Sequence, residues 1–429
     1  MKKSISLDGA WRLKYGPAAE WPDDWRDLPN NFASRKDWPE IDAVVPGNVE
    51  IDLQRAGVIE DPAFGTRIHG LRKFETHEWW YSRTFEAEAV GHRAELVFDG
   101  LDCVANIWLN GEFLETTTNA LVAQRLDVTH ALRAGENTLD VAIVSPLHRG
   151  RYDVLAPGDY AGAVNFEGLD VRKPPHCWGW DIMPRLVSAG IWRGVRIEFL
   201  QPTRWRAVYV ATRKADVEKR TARIVVDWDF TTERDVDDLR VRVRLSRSSH
   251  GSHSSLYHTL GTHGRAEIEL TDVDFWWPLG SGEAALYEFT AELLEGETCL
   301  DVWRENVGIR TVELKRTALT TPDGDGEFVF IVNGERVFIK GTNWVPLDAL
   351  HSRDAATLDT VFPMVVDLGC NMLRCWGGLV RPLGRDGVAG FCDGLRGVSA
   401  NGWFLRRHQN QNVGKRSSTA SRLQSLCCT

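Results

Sequence analysis

A single run from Phe328 to Gly378 decides the fold, and it reads FVFIVNGERVFIKGTNWVPLDALHSRDAATLDTVFPMVVDLGCNMLRCWGG. The apolar residues 328–332 predict a buried strand. Asn333-Gly334 then predicts a tight hairpin, because both residues tolerate a positive φ. The chain is therefore expected to return as a second strand over residues 336–340.

The second half of the run predicts a helix followed by one more strand. We expect Gly341–Pro346 to break the preceding strand, and Ser352 to cap a helix that is stopped by Gly369. Pro363 lies inside this helix and is expected to kink it, because proline removes a backbone hydrogen bond. Residues 371–375 then form a short apolar strand. A strand, a helix and a strand in this order make a βαβ unit, the repeating unit of a (β/α)8 barrel.

Polar and aromatic side chains stand at the ends of these predicted barrel strands. Asn343 and Trp344 precede the helix. Arg374 lies near the end of the strand after the helix, and Trp376 follows that strand. In a (β/α)8 barrel the C-terminal ends of the strands form the active face. These four residues are therefore candidates for a binding site.

Two β-rich blocks precede the barrel unit. Residues 1–200 alternate short strand runs with turns, which predicts a jelly-roll sandwich. Residues 201–315 show period-two alternation over about one hundred residues, which predicts an immunoglobulin-like sandwich. We expect a mainly β, multidomain chain in which residues 316–378 begin a (β/α)8 barrel.

Residues 379–429 differ in composition from the rest of the chain. They hold eight basic and two acidic residues, a net charge of +6, and no glutamate. These residues show weak periodicity, and the run from Arg406 to Ser421 is polar. We expect this basic tail to be disordered and not to continue a barrel.

A histidine-rich stretch, residues 246–264, invites a metal-binding interpretation. It carries His250, His253, His258 and His263 among serines and glycines. No cysteine or carboxylate cluster accompanies these histidines, so we favour a solvated hairpin loop over a metal site.

Composition excludes several classes of function. The net charge of −9 argues against a nucleic-acid partner, and the absence of a long apolar run argues against a membrane span. The N-terminal residues lack the apolar region of a secretory signal. The eight cysteines have no repeated spacing, which predicts reduced thiols and a cytoplasmic protein.

Nothing in the sequence supports a cofactor. Most of the 18 tryptophans are expected in β-sheet cores, although tryptophan also offers a flat surface for a sugar ring.

Eleven short motifs, taken in order, point to a known family. Over residues 1 to about 378, this chain resembles the β-mannosidase branch of glycoside hydrolase family 2. The branch is indicated by Arg374, which is followed by Cys-Trp-Gly-Gly rather than by small residues and His-Tyr-Pro. The motifs are LDGAW (7–11), VPGN (45–48), WWYSRTF (79–85), FDGLD (98–102), IWLNG (107–111), RKPPHCWGWD (172–181), GIWRGV (190–195), FWWPLG (275–280), VGIRTVE (307–313), KGTNWVPLD (340–348) and NMLRCWGG (371–378).

The resemblance implies retaining hydrolysis of terminal, non-reducing β-D-mannose residues in β-mannosides or manno-oligosaccharides. It also implies that Trp180 and Asp181 project from the first sandwich into the sugar pocket. A carboxylate can accept hydrogen bonds from neighbouring hydroxyls, and a guanidinium can donate several. Two structural alternatives stay open: Asp181 as a turn residue, and Arg374 as an internally paired residue. From the barrel, the implied pocket residues are Asn343, Trp344, Asp348, Arg374 and Trp376.

Retaining glycosidases need two carboxylates, and the family's two catalytic glutamates lie beyond the matched region. No glutamate follows Gly378 in this sequence, so we assign no catalytic residue and expect the chain to be inactive. A barrel of about 250 residues also does not fit between Phe328 and Thr429. We expect a shifted reading frame or an interrupted gene near Gly378. The alternatives are a non-catalytic carbohydrate-binding β-sandwich protein and a non-functional pseudogene product.

Overall fold

The computed structural model describes residues 3–18, 32–88, 93–152, 166–247, 250–317 and 326–375, and the statements below concern these residues. The expectations for Trp376 and for the basic tail fall outside them. The chain divides into two compact units. Among the described residues, the first unit contains those up to Gln201 together with Val345–Leu358, and the second contains Pro202–Trp344 together with residues 359–375.

The first unit is an antiparallel β-sandwich. Its strands form a four-stranded sheet in the order β1-β10-β5-β8 and a six-stranded sheet in the order β3-β2-β4-β9-β6-β7. Two short helices, α1 (Val49–Arg55) and α2 (Pro146–Tyr152), connect strands. The strands are β1 (Lys3–Ser6), β2 (Gly9–Pro17), β3 (Glu40–Val45), β4 (His77–Ala87), β5 (Ala94–Phe98), β6 (Ala105–Leu109), β7 (Glu112–Thr117), β8 (Gln124–Asp127), β9 (Gly135–Ile143) and β10 (Val195–Phe199).

One apolar core joins the two sheets of this sandwich. Leu96 and Ile197 come from the four-stranded sheet, and Leu13 and Ile107 come from the six-stranded sheet. The pattern follows from strand geometry, because alternate side chains point to the same face of a sheet. The prediction that tryptophans serve mainly as core residues agrees with this packing, since ten of the 18 are buried in the described residues.

The second unit begins with a seven-stranded antiparallel sandwich. A three-stranded sheet has the order β11-β12-β15, and a four-stranded sheet has the order β14-β13-β16-β17. A separate core cluster of buried side chains from both sheets fills the interior. Seven strands in two antiparallel sheets agree with the predicted immunoglobulin-like architecture. The strands are β11 (Arg204–Asp216), β12 (Thr221–Thr231), β13 (Leu239–Arg247), β14 (His250–His258), β15 (His263–Thr271), β16 (Tyr287–Glu295) and β17 (Thr298–Val307).

The histidine-rich stretch is not the loop that we expected. His250–His258 forms β14, which pairs with β13 at the edge of the four-stranded sheet, and His263 begins β15. Serines and histidines suit this position, because an edge strand must not present an adhesive apolar surface. The described histidines of this stretch belong to no group with metal-ligand spacing.

The run from Phe328 to residue 375 forms the predicted hairpin and βαβ unit, with one correction. Strands β18 (Val312–Arg316), β19 (Phe328–Val332) and β20 (Glu335–Val337) form an antiparallel sheet. Asn333 and Gly334 turn β19 into β20 with φ values of 51° and 86°. The second strand ends at Val337, earlier than predicted, and the expectation that Gly341–Pro346 forms no strand is wrong.

Gly341–Trp344 instead forms a strand of its own, β21, which pairs in parallel with β22 (Met372–Cys375). A helix, α3 (Asp354–Asp367), connects the two strands and continues through Pro363. Parallel pairing is possible because this crossover is long enough to reverse the chain twice.

Helix α3 begins later than predicted and ends where predicted. A 3₁₀ turn over His351–Arg353 precedes it, so Ser352 is not its cap. At the other end Gly369 has a φ of +69°, and the amides of Gly369 and Cys370 donate to the carbonyls of Val366 and Val365. This pair of bonds is a Schellman motif, which explains why a glycine follows the helix.

No helix in the described part of the chain combines the length and the apolar character that crossing a bilayer would require.

Candidate functional site

Trp180 and Asp181 lie in a short turn of the first unit. The amide of Trp180 donates to the Met183 carbonyl at 2.9 Å, and the amide of Met183 donates back at 3.3 Å. These two bonds place Asp181 and Ile182 at the tip, where both are exposed, whereas Trp180 is half-buried. The turn therefore presents a carboxylate to the surroundings of the first unit.

The base of this turn is held by charged and aromatic contacts. Arg185 donates from Nε and Nη2 to the two carboxylate oxygens of Glu75, at 3.0 and 2.8 Å. The Arg185 guanidinium also lies 5.3 Å from the ring centre of Trp178. Gly179 has a φ of +97°, which lets the chain turn where another residue would be strained. A bidentate pair of this kind holds the two side chains in one geometry and adds a strong interaction, so it stabilises the base of the turn.

Asn343 and Arg374 meet on the parallel strand pair of the second unit. They are register partners on β21 and β22, and the Arg374 Nη1 donates to the Asn343 Oδ1 at 2.9 Å. The pair includes two of the candidate residues, and it also realises the alternative of an internally paired Arg374. One bond occupies one of five guanidinium N–H donors.

Trp344 has a packing contact that its sequence position did not reveal. Only 7% of it is exposed, and its ring stacks on Phe362 of α3 with centres 4.9 Å apart and planes 12° apart. One face of the indole is therefore covered by the helix of the same βαβ unit. The sugar-stacking role of Trp344 stays a prediction.

Asp348 belongs to the first unit and shapes the chain that follows Trp344. Its Oδ1 accepts from the amide of Leu350 at 2.8 Å, and its Oδ2 lies 3.9 Å from Arg353. The buried Asp354 accepts from the amides of Leu347 and Asp348 at 3.2 and 3.0 Å. Burial raises the pKa of Asp354 to about 7. Both carboxyl groups thus support a turn, and the pocket role of Asp348 stays a prediction.

Sequence reasoning missed a buried polar cluster in the first unit. Lys173 donates to Asp102 and to the Ser188 carbonyl, and both charged side chains have no exposed surface. Burial acts to lower the pKa of Lys173, but the Asp102 carboxylate outweighs it, and the pKa lies above its ordinary value. Lys173 is therefore a buried ammonium ion paired with a carboxylate.

His351 extends this cluster into the segment that carries Asp348. Its Nε2 lies 3.3 Å from the Asp102 Oδ2, and its Nδ1 lies 3.9 Å from the Cys177 Sγ. Burial, with Lys173 nearby, lowers the pKa of His351 well below its ordinary value, so the ring is neutral at neutral pH. Burial raises the pKa of Cys177 to about 12, so its thiol keeps its proton.

A second buried chain of hydrogen bonds lies beside the first. Ser188 donates from Oγ to the Glu50 carboxylate at 2.5 Å and accepts from Asn48 at 2.9 Å. The Asn48 Oδ1 accepts from the amide of Ser352 at 3.1 Å. Burial raises the pKa of Glu50 to about 7. These contacts tie the sandwich to residues near 350, although more than 300 positions separate Asn48 from Ser352 in sequence.

The sequence offered little signal for these buried clusters. Charged side chains are expected at the surface unless a partner is known, and the partners here are distant in sequence. The RKPPHCWGWD motif did contain Lys173 and Cys177, but only the fold places Asp102 and His351 against them.

Comparisons with known proteins agree with the architecture. Residues 28–193 match the family described as "Glycosyl hydrolase 2 galactose-binding domain-like", and residues 207–310 match "Glycosyl hydrolases family 2". Together these matches cover most of both sandwiches.

Curated relatives include two fungal proteins named "Beta-mannosidase B". The protein from Emericella nidulans is 30% identical over 384 residues, which is 87% of this chain and 43% of the relative. The protein from Aspergillus clavatus is 31% identical over 369 residues, which is 82% of this chain and 42% of the relative. This chain thus spans about two fifths of the length of these relatives.

Solved structures of two glycosidases also resemble this chain. The β-D-mannosidase from Dictyoglomus thermophilum superimposes with a TM-score of 0.75 at 28% identity, over 92% of this chain and 46% of that one. A β-glucuronidase from Bifidobacterium dentium superimposes with a TM-score of 0.63 at 20% identity, over 92% of this chain and 60% of that one. The second likeness concerns the fold alone.

Proposed function

The chain belongs to glycoside hydrolase family 2, and we propose that it forms the N-terminal, sugar-recognising part of a β-mannosidase. The observation that carries this proposal is the match to β-mannosidases, which extends over 87% of this chain in sequence and 92% of it in structure. The proposed ligand is a terminal, non-reducing β-D-mannose residue of a β-mannoside or manno-oligosaccharide.

Asp181 is the proposed principal sugar ligand of the first unit. Its exposed position at the tip of a turn held by Arg185 and Glu75 supports this role. A carboxylate there can accept hydrogen bonds from two adjacent hydroxyls, and charged hydrogen bonds are the strong ones. Trp180, half-buried beside it, offers an aromatic surface to the apolar face of the ring.

The second unit contributes a polar pair and an aromatic support. We propose that Arg374 donates to sugar hydroxyls while its bond to Asn343 fixes its direction. Trp344, held against Phe362 in the second unit, and Asp348, which stabilises a turn of the first unit, are each proposed as a positioning residue for the sugar. Trp376 remains part of the proposal by its place in sequence.

We propose that this chain does not supply the two catalytic carboxylates. A retaining mechanism needs a nucleophile and an acid/base about 5–5.5 Å apart. The sequence has no glutamate after Glu335. In the described part of the barrel unit, the carboxylate of the buried Asp354 already accepts hydrogen bonds from two backbone amides. The chain would thus bind the substrate without cleaving it.

A hydrolysis assay on an aryl β-mannoside tests this division of roles. We expect the purified 429-residue chain to release no more aryl alcohol than its Asp181→Ala variant, because neither has the carboxylate pair. Far-ultraviolet circular dichroism would verify that both are folded, and an intact β-mannosidase would verify the substrate. Turnover by the chain that disappears in Asp181→Ala would contradict the proposed absence of catalytic groups.

We further propose a cytoplasmic location. Four cysteines in the described residues, Cys103, Cys177, Cys299 and Cys370, are free. Free thiols in a large chain are typical of a reducing compartment.

A further inference from the structure

Three potential metal ligands meet in the interior of the first unit. His176, Cys177 and His351 are all buried, and their ligand atoms all lie within 4.8 Å of one another. Two of them are neighbours on the 3₁₀ turn over Pro175–Trp178, and the third comes from the 3₁₀ turn before α3. We propose that these three side chains bind one zinc ion, and that this ion fastens the segment Val345–Leu358 to the sandwich.

The ligand chemistry suits zinc. A thiolate and two imidazoles are among the usual ligands of structural and catalytic zinc sites. Zn–S bonds of about 2.3 Å and Zn–N bonds of about 2.0–2.1 Å imply ligand separations of about 3.3–3.6 Å in a tetrahedral site. The Cys177 Sγ and the His351 Nδ1 are 3.9 Å apart, and all three ligand atoms lie within 4.8 Å of one another, so side-chain movements of up to about 1.5 Å would bring them to bonding positions. Soft thiolate ligation disfavours magnesium and calcium.

The surroundings of His351 match those of a metal-bound histidine. Its Nδ1 faces Cys177, while its Nε2 faces the Asp102 carboxylate at 3.3 Å. A metal-ligating histidine usually donates its second ring N–H to a carboxylate, which fixes the tautomer and the ring orientation. The Asp102 carboxylate lies near enough to take that role after a small reorientation of the ring, since Nε2 forms no hydrogen bond in the structure, and Lys173 bonds to Asp102.

Binding of Zn²⁺ would replace the thiol proton of Cys177, which would leave to solvent, and the resulting thiolate would offset part of the metal charge. Because the ligands are buried, zinc is expected to enter while the chain folds.

Cobalt substitution and metal analysis test the site. The full chain would be refolded from denaturant with one equivalent of Co²⁺, and separately with Zn²⁺ followed by gel filtration. We expect about one zinc per chain and a thiolate-to-cobalt charge-transfer absorption that Zn²⁺ removes. Cys177→Ser and His351→Gln should each lower the retained metal at least tenfold. Cys299→Ser and His253→Gln are the matched controls outside the cluster, and they should retain it.

Two results would overturn the zinc proposal. The first is a wild-type chain that refolds with no charge-transfer absorption and no retained zinc, which would leave Cys177 and His351 as a thiol–imidazole contact. The second is equal metal retention by wild type and Cys177→Ser. Should Cys177→Ser fail to refold, the wild-type spectrum and the His351→Gln variant still decide. The site does not depend on the proposed sugar specificity.

Discussion

Replacing Lys173 with methionine is expected to lower the free energy of unfolding of the first unit by about 3–5 kcal/mol, because the substitution leaves the Asp102 charge buried without its cationic partner. Both side chains have no exposed surface, and the Lys173 ammonium also donates to the Ser188 carbonyl. Methionine has a similar length, so the lost interaction rather than a cavity would dominate. Denaturant unfolding followed by tryptophan fluorescence measures the change.

A surface ion pair provides the control for Lys173→Met. Arg125 bonds to Glu95 and Glu198 at the sandwich surface, with 47% of its side chain exposed. Arg125→Met should change the free energy of unfolding by about 0–1 kcal/mol, because exposed pairs are screened by water. The double variant Lys173→Met/Asp102→Asn should recover part of the loss, since no charge remains buried. Equal effects of Lys173→Met and Arg125→Met would refute the account of this cluster.

Glu50→Gln is expected to stabilise the folded chain at pH 8 much more than at pH 4.5. Burial raises the pKa of Glu50 from 4.5 to about 7, with Asp102 acting in the same direction and Ser188 and Lys173 acting against it. A raised pKa means that the unfolded chain loses its proton first. The wild type therefore loses stability progressively between about pH 4.5 and pH 7, and the loss amounts to about 3 kcal/mol. Glutamine has no such proton to lose.

The measurement is the difference in unfolding free energy between wild type and Glu50→Gln at the two pH values. Asp52 and Asp354, whose pKa values burial also raises, and His351, whose pKa burial lowers, are present in both proteins. Their contributions should therefore cancel. Glu115→Gln, at an exposed strand position, is the control and should stay within about 0.5 kcal/mol of wild type. A Glu50→Gln difference that does not vary with pH would count against a buried, protonated Glu50.

Local chemistry made part of the fold predictable. Asn333 and Gly334 require positive φ, so the hairpin follows from two residues, and Gly369 marks the end of α3 for the same reason. Apolar alternation gave the two sandwiches, and their strands agree with the prediction. These features depend on residues that are close in sequence.

Features set by distant pairing were not predictable. Gly341–Trp344 is a strand because it pairs with Met372–Cys375, and nothing within it indicates a strand. The histidine-rich β14 is a strand because β13 supplies its hydrogen bonds, whereas its composition suggests a loop. The contacts of Lys173 and His351 with Asp102 likewise join residues that are far apart along the chain.

For the candidate site, too, the sequence identified residues but not all of their contacts. Motifs named Asp181 and Arg374, and the structure shows an exposed carboxylate and a guanidinium directed by Asn343. The motifs did not reveal the stacking of Trp344 on Phe362 or the turn that Asp348 supports, because both depend on the folded path of the chain after β21.

Calorimetric titration of the chain with methyl β-D-mannopyranoside tests whether the chain recognises a β-mannoside, with the 2-epimer methyl β-D-glucopyranoside as the comparison ligand. We expect saturable binding of the mannoside and weaker binding of the glucoside. Asp181→Ala should weaken mannoside binding about 10–100-fold, because a hydrogen bond to a charged group contributes about 1.5–3 kcal/mol. Asp42→Ala, at an exposed position of the same sandwich, should leave it unchanged. Equal affinity for both epimers, or mannoside binding that Asp181→Ala does not affect, would contradict mannose recognition through Asp181.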